Sequence, residues 1–427
     1  EGDPTYDGQD LVINGATVTI DGPHSFNSIQ LINNAVLTHS ACTANATHKL
    51  DVQVTGTMSV DGTSRIDVSG LGYLPTRTKG NTTTGGATGS SGGSFGGLGG
   101  NFFGAANAVY GDYADVEEWG SGGGEGSGGG RMRIKAATLQ LEGQLLASGK
   151  APCNGGGSGG GVLVIVNQLA GGGSIEAKGG DSSCGRGGGG GGRIAVYATD
   201  WSGFNLANIS APGGTGGAAG GAGTVYLRDA DEGAGTLVID AGSGGAGWTP
   251  LGVAGSNSYP LSEPVVIRGN ATHVRTEHPG MTVEIQNSLT VVGAQLLIEG
   301  TLHLLSAGTV SVTDGGYLEV LGALNLDAPL NLKGSRWISV SGSISSTVPV
   351  TIDGSTIIAD HLVAPALSIV NGGTLTSAAS TGTEMRKLET EVAGTLLVDG
   401  TSKIDVSGLG YFAHPDQRQH DDRWGDG

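Results

Sequence analysis

Apolar residues recur in pairs two positions apart along much of the chain. From Ser288 the pairs are Leu289/Val291, Leu296/Ile298, Leu302/Leu304, Val310/Val312, Leu318/Val320, Leu324/Leu326, Leu330/Leu332 and Ile338/Val340. Strict alternation marks short strands with one buried face. The pairs begin six to eight residues apart, with Gly293, Gly300, Gly308, Gly315, Gly322 and Gly334 between them. Glycine at such corners supplies backbone angles that other residues resist. Nothing shows a sustained 3.6-residue period, so helices should be nearly absent. Strands this short, joined by single-residue corners, fit a sandwich poorly. They fit an all-β parallel β-helix (β-solenoid) of about 20 residues and three sides per rung, stacked at ~4.8 Å.

Two longer patterns interrupt or repeat this one. KLDVQVTGTMSVDGTSRIDVSGLGY from Lys49 aligns without a gap with KLETEVAGTLLVDGTSKIDVSGLGY from Lys387, an offset of 387 − 49 = 338 residues. LINNAVLT from Leu31 aligns with IVNGGTLT from Ile369 at the same offset. The chain therefore reads as one long repeat and the start of the next. In this repeat Val60, Ile66 and Val68 should point inward, Asp61–Gly62 should form a corner, and Arg65 and Lys403 should face outward.

Between residues 70 and 225 the same grammar recurs. IDVSG, LLASG, IEAKG and ISAPG each end a strand, a glycine-rich stretch follows, and GRMRIKAATLQLEG, GVLVIVNQL, GRIAVYATDW or GTVYLRD starts the next strand. The stretches are therefore loops leaving one corner of successive rungs. Such loops can be flexible. Alternatively they pack sideways as extended, polyglycine-II-like strands, which only glycine allows at close backbone approach; their regular stacking favours that second reading. The longest insertion holds Phe95, Phe102, Phe103, Tyr110, Tyr113 and Trp119 and should fold as a cap over the tracts.

The organisation expected is solenoid rungs over 1–69, rungs with glycine-rich insertions over 70–225, plain rungs over 226–386, and the start of a second unit over 387–427. Composition sharpens this. Glycine makes up 84 of 427 residues without a G-X-Y period, which excludes collagen. Only 37% of residues are apolar, enough for a thin columnar core. A net charge of −18 with 21 Lys and Arg argues against nucleic acid as a partner. No run of 18 apolar residues suggests a membrane span. No signal-peptide pattern is present, and Glu1 reads as a processed end.

Candidate chemistry is sparse. Cys153 and Cys184 fall at nearly equivalent points of neighbouring units; with Cys42 they are either one bridge and a free thiol or three free thiols. Asn45, Asn81, Asn208 and Asn270 head glycosylation sequons. Asp112, Asp115, Glu117 and Glu118 form one acidic cluster. His414, Asp416, His420, Asp421, Asp422 and Asp426 form another. Either could hold Ca²⁺, the one metal considered, or simply be a solvated loop; no other cofactor is expected. Ser158 sits in a G-x-S-x-G match and GEGSGG in a G-x-G-x-x-G match, but neither has the strand-turn-helix setting those motifs need. Parallel β-helices include polysaccharide lyases, yet the clustered Asp51, Asp61, Arg65 and Asp67 lie within the duplicated segment, as a surface pattern would. Trp119, Trp248 and Trp337 could stack on sugars or pack internally.

GSGGSFGGLGG, WGSGGGEGSGGGRMRI, GGGGGGRIAVYATD and GGAGTVYLRD resemble the glycine-rich segments of very large secreted surface proteins with filamentous-haemagglutinin-like β-helical repeats. The resemblance covers roughly residues 60–230 and implies no catalytic residues. It implies a cell-surface, adhesive or matrix-building role. The expected function is a non-enzymatic extracellular structural protein that self-associates, head-to-tail or laterally, into a fibre, sheath or appendage. A carbohydrate-binding adhesin with surface glycans as partners is the alternative.

Overall fold

A computed structural model describes residues 4–410 apart from 334–336. The fold is all-β, with one three-residue 3₁₀ turn, Leu206–Asn208, as the helical element among the described residues. Nearly all strand pairs are parallel, which is compatible with the expected solenoid.

In the N-terminal half each turn of chain visits three sides. The first turn uses Asp10–Asn14, Thr17–Thr19 and Gly22–Phe26. Ser28–Ile32 then pairs with Asp10–Asn14, Val36–Thr38 with Thr17–Thr19, and Leu50–Val54 with Gly22–Phe26. Later long strands, Leu50–Val60, Arg131–Leu141, Gly161–Gly171 and Arg193–Phe204, each span two sides and stack in parallel, with register shifts between Val54 and Thr57 and between Gln168 and Ala170. Alternation decides the core: Val162, Val164 and Val166 point into one column with Ile194, Val196 and Ala198. In the C-terminal half the turns from Leu289 onward are close to the expected length. One rung carries the chain from Leu289 to its partner Val310, and the next from Val310 to Leu330. Where glycine tracts intervene the turn lengthens, so that Arg131 pairs with Gly161 and Gly161 with Arg193. Turns near the expected length occur in both halves, as from Leu11 to its partner Ile29 and from Leu289 to Val310, and longer ones occur in both as well, as from Leu237 to Val265.

The columnar core comes in two parts. Thr224–Asp229 and Thr236–Asp240 pair antiparallel, placing Val225 opposite Val238 and Tyr226 opposite Leu237. Opposed residues share a sheet face. Val225 belongs to the first core, whereas Leu237 and Ile239 belong to the second, so the core changes sides of the sheet here. From Thr236–Asp240 onward the strands are again mutually parallel. Reversing strand direction alone would invert the hand of the coil. Moving the core to the opposite face inverts it again, so both halves wind with the same hand. The physical cause is local: Asp229–Gly235 is a polar, glycine-containing reversal between two alternating strands.

Candidate functional site

The glycine tracts form an ordered layer beside the first core. In the tract 187–192, Gly187 and Gly190 donate to the carbonyls of Ser90 and Gly93 at 3.0 and 2.9 Å. Gly188 and Gly191 donate to Ala218 and Gly221 at 2.8 and 2.9 Å, and Gly189 and Gly192 to Gly180 and Ala177 at 2.9 and 2.8 Å. Every third N–H thus meets the same neighbour, and the donors of the tract reach three neighbours in turn. A backbone with three residues per turn produces this pattern, because successive N–H groups point about 120° apart. Gly156 and Gly159 repeat it onto Gly187 and Gly190. The spacing leaves no room for side chains: a Cβ on Gly189 would run into the Gly157 carbonyl, and one on Gly157 into that of Ser127. Ser158 lies wholly buried in this layer, its Oγ accepting from the Ser121 N–H at 2.8 Å.

Cys153 and Cys184 are joined as a disulfide, with Cα atoms 4.8 Å apart, between the outer ends of consecutive tracts. Cys42 is a buried free thiol, and burial pushes its pKa up.

The long insertion folds onto the outer face of the first half. Phe95 and Val116 pack on Leu163, Ala195 and Tyr226. Two arginines pin it there, each following a glycine tract directly. Arg193 donates to the Tyr110 carbonyl at 2.9 Å and Thr224 Oγ1 at 3.1 Å and lies over Phe95. Burial pushes its pKa down to about 10. Arg131 pairs with Glu117 and lies over Trp119. Asn107, buried, holds its Nδ2 within hydrogen-bond reach of Ser121 Oγ, Thr78 Oγ1 and two carbonyls, and its Oδ1 accepts from the Ser94 N–H at 2.8 Å. Glu263, from the second half, accepts from Tyr226 at 2.6 Å and Tyr113 at 3.2 Å. The insertion therefore also covers the start of the second core, where Tyr113 packs.

The acidic cluster weighed for Ca²⁺ or a solvated loop is dispersed. Asp112 accepts from the Ala114 N–H in its own turn, Glu117 pairs with Arg131, and Glu118 accepts from the Tyr73 hydroxyl at 3.0 Å. No group of three or more His, Cys, Asp or Glu side chains converges among the described residues, Asp115 included. Asp112, Glu117 and Glu118 are each held in bonds within the cap, whereas Asp115 is exposed. The C-terminal acidic segment lies outside the described residues, as does the side chain of Trp337.

Among the sequons, Asn45 and Asn270 are exposed. Asn81 donates to the Thr43 carbonyl at 2.9 Å and Asn208 to the Gly173 carbonyl at 2.9 Å, so both amides are structural. The indole of Trp119 donates to the His48 carbonyl at 2.6 Å and packs tilted on Tyr73. Trp248 packs tilted on His273 beneath Arg275. Neither forms an open coplanar platform.

The duplicated segment is duplicated in structure. Asp61 accepts from the Asn33 N–H at 2.8 Å and from Thr63; Asp399 accepts from the Asn371 N–H at 2.7 Å and from Thr401. Those bonds, the Asn33 and Asn371 N–H first, hold both carboxyls well below the usual range. Arg65 pairs with Asp67 and Lys403 with Asp405. Met58 pairs beside Ile29 and Leu396 beside Leu367, again at the offset of the repeat. Val60, Ile66 and Val68 are buried, as their alternation demanded.

Arg131, Arg193, Asn107 and Glu263 were not singled out by sequence. The arginines had a signal, since GGGR opens two of the strands after a tract. Glu263 had none, its partner Tyr113 lying 150 residues away. No protein-family model matches the chain, and no curated protein and no solved structure matches it. No helix among the described residues is long and apolar enough to cross a membrane.

Proposed function

We infer that the chain is a rod-forming β-solenoid unit of an extracellular structural assembly, a fibre, sheath or surface appendage, and not an enzyme. Its glycine tracts serve as a polyglycine-II-like layer that stiffens one side of the rod. The observation carrying this reading is the recurrence of one rung, with the same register and the same Asp–Asn corner bond, one full repeat later. A unit whose end reproduces its beginning can be continued in series without a new interface, and its stability grows with each added rung. At ~4.8 Å per rung, each unit adds roughly 55–60 Å of length. The glycine-rich motifs and the Cys153–Cys184 bridge agree with a secreted surface protein.

The test is electron microscopy of the chain and of a version carrying two units. Straight rods that lengthen by one unit's rise support the reading; compact particles overturn it. A second reading, glycan binding, draws on one feature: a depression of about 510 Å³ lined by Asn45, Tyr73, Lys79, Asn81, Glu118 and Trp119. A glycan array on wild type and Trp119→Ala decides it, and equal signals would remove it.

A further inference from the structure

On one side of the first half the strands form a ladder that stops in the interior of the chain. Its last members are Arg65–Asp67, Gln144–Leu146, Ser174–Glu176 and Ile209–Ser210, all parallel. Ile66, Leu145, Ile175 and Ile209 stack inward, and Val68, Ala147, Ala177 and Ala211 follow two residues later in each rung. The residue between each such pair points outward. Beyond Ile209–Ser210 no described strand continues the ladder. The cause is the change of core face: after Thr224–Asp229 the chain reverses, and its next rungs close on the other side of the shared sheet.

The backbone of the last strand records the missing neighbour. The Val68 N–H donates to the Leu146 carbonyl at 2.8 Å, Ala147 to Glu176 at 2.8 Å and Ala177 to Ser210 at 3.0 Å. Each bond runs to the middle residue of the next rung. Ala211 is fourth in this series and only 2% exposed, yet its N–H meets no acceptor among the described residues. The Ile209 carbonyl faces the same edge, because residues two apart along a strand turn their backbone groups the same way. A buried donor without a partner is costly, so an acceptor arriving here is favoured.

Where the next strand would lie there is a crevice of about 320 Å³. Ile209, Ala211, Val225 and Val238 form its apolar floor, with Asp240 and Arg268 on the far wall. Ile209 and Val225 are 6% and 7% exposed, whereas Leu145, Ile175 and Ala177 in the rungs behind are at 0%. Arg268 donates to Asp240 through Nε at 2.7 Å, and Lys178 lines the near wall.

We propose that this crevice binds an extended segment of another polypeptide as the next parallel strand of the ladder. The segment reads large apolar, any, small, as Ile175–Ala177 and Ile209–Ala211 do. Its middle carbonyl accepts from the Ala211 N–H, and its middle N–H donates to the Ile209 carbonyl. Its apolar residue covers Ile209 and its small residue covers Ala211. The middle side chain points outward beside Ser210, where Arg268 and Lys178 favour a carboxylate. The site lies in the middle of the chain and does not rest on the rod reading.

The test uses the full chain and the blocked peptide acetyl-SIEAG-amide, which carries the pattern of Ser174–Ala177. Fluorescence anisotropy of the labelled peptide should show saturable binding. SEGIA, the same composition without the pattern, should not bind. Methylating the glutamate nitrogen should abolish binding, because it removes the donor to Ile209. Arg268→Glu should weaken SIEAG by about fivefold or more and make SIKAG the better ligand. That gain keeps the result independent of any loss of folding. Ser210→Cys chains should form a disulfide with SICAG, and Ser311→Cys chains, altered on an outward ladder of the second half, should not. No binding at millimolar SIEAG, equal binding of SEGIA, indifference to the N-methyl group or to Arg268→Glu, or SICAG linking equally to both cysteines would each overturn the proposal.

Discussion

The two halves of this molecule solve the same problem with opposite materials. In the plain half, Leu296, Leu302, Leu318 and Leu324 fill a column, and cohesion comes from apolar area removed from water. In the glycine half a second layer stands beside such a column. That layer has almost no side chains, and its cohesion comes from backbone hydrogen bonds in three directions around each tract. A buried backbone donor left unpaired is costly, so such a layer is stable only if its register is complete. One half should therefore be damaged by removing atoms and the other by adding them.

The largest effect should come from adding atoms to the glycine layer. Gly189→Val should destabilise by about 3 kcal/mol or more, since overpacking a filled site costs up to that and hydrogen bonds are lost as well. Gly255 has open space around it but a φ of +79°, so Gly255→Ala should cost only about 1 kcal/mol. Thermal denaturation of both variants checks the contrast, and equal losses would break it.

Removing atoms from the plain half comes next. Leu296 is fully buried, and Leu296→Ala should cost about 2–5 kcal/mol. Limited proteolysis should show the damage centred on the second half.

Cutting the bridge follows. Cys153 and Cys184 lie 31 residues apart in sequence, so Cys153→Ser should cost about 3.7 kcal/mol in the chain-entropy view. Hydrogen exchange should loosen in the glycine tracts and not beyond Thr236.

Acid should also separate the halves. His39 is buried in the first half and burial lowers its pKa. Its neutral form is the one folding favours, so its contribution is present above the unfolded value of about 6.5 and fades as pH falls through the lowered folded value. Melting of the first half should drop on going from pH 7 to 5, and His39→Gln should remove that slope.

The smallest effect sharpens the comparison at the repeat. Asp61 and Asp399 have depressed carboxyl pKa values for the same reason, so both contributions are present above about pH 4 and lost as pH falls further. Asp61→Ala should lower the melting midpoint more than Asp399→Ala, because rungs stack on both sides of Asp61 and on only one described side of Asp399. Calorimetry of the pair gives the answer.

Much of this was legible in the residues. The pairs from Leu289 onward sit at the registers their alternation required, and the offset of the long repeat reappears as matched hydrogen bonds. The acidic run at Asp112–Glu118 left two readings open, because a cluster in sequence says nothing about which cation, hydroxyl or N–H each carboxylate will meet. Arg131 and Arg193 went unread because the aromatic face they clamp comes from an insertion folded back over a different rung.

Local chemistry alone determined the strands, the corners, the glycine tracts and the repeat, since each depends on neighbours a few residues away or on direct copying. Tertiary structure decided which face of the shared sheet becomes core. The strands around Asp229–Gly235 are apolar on both faces: Val225 and Val238 on one, Tyr226 and Leu237 on the other. Alternation cannot choose between two apolar faces. The choice was made by what already occupied each side, the first column on one and the insertion with Tyr113 on the other.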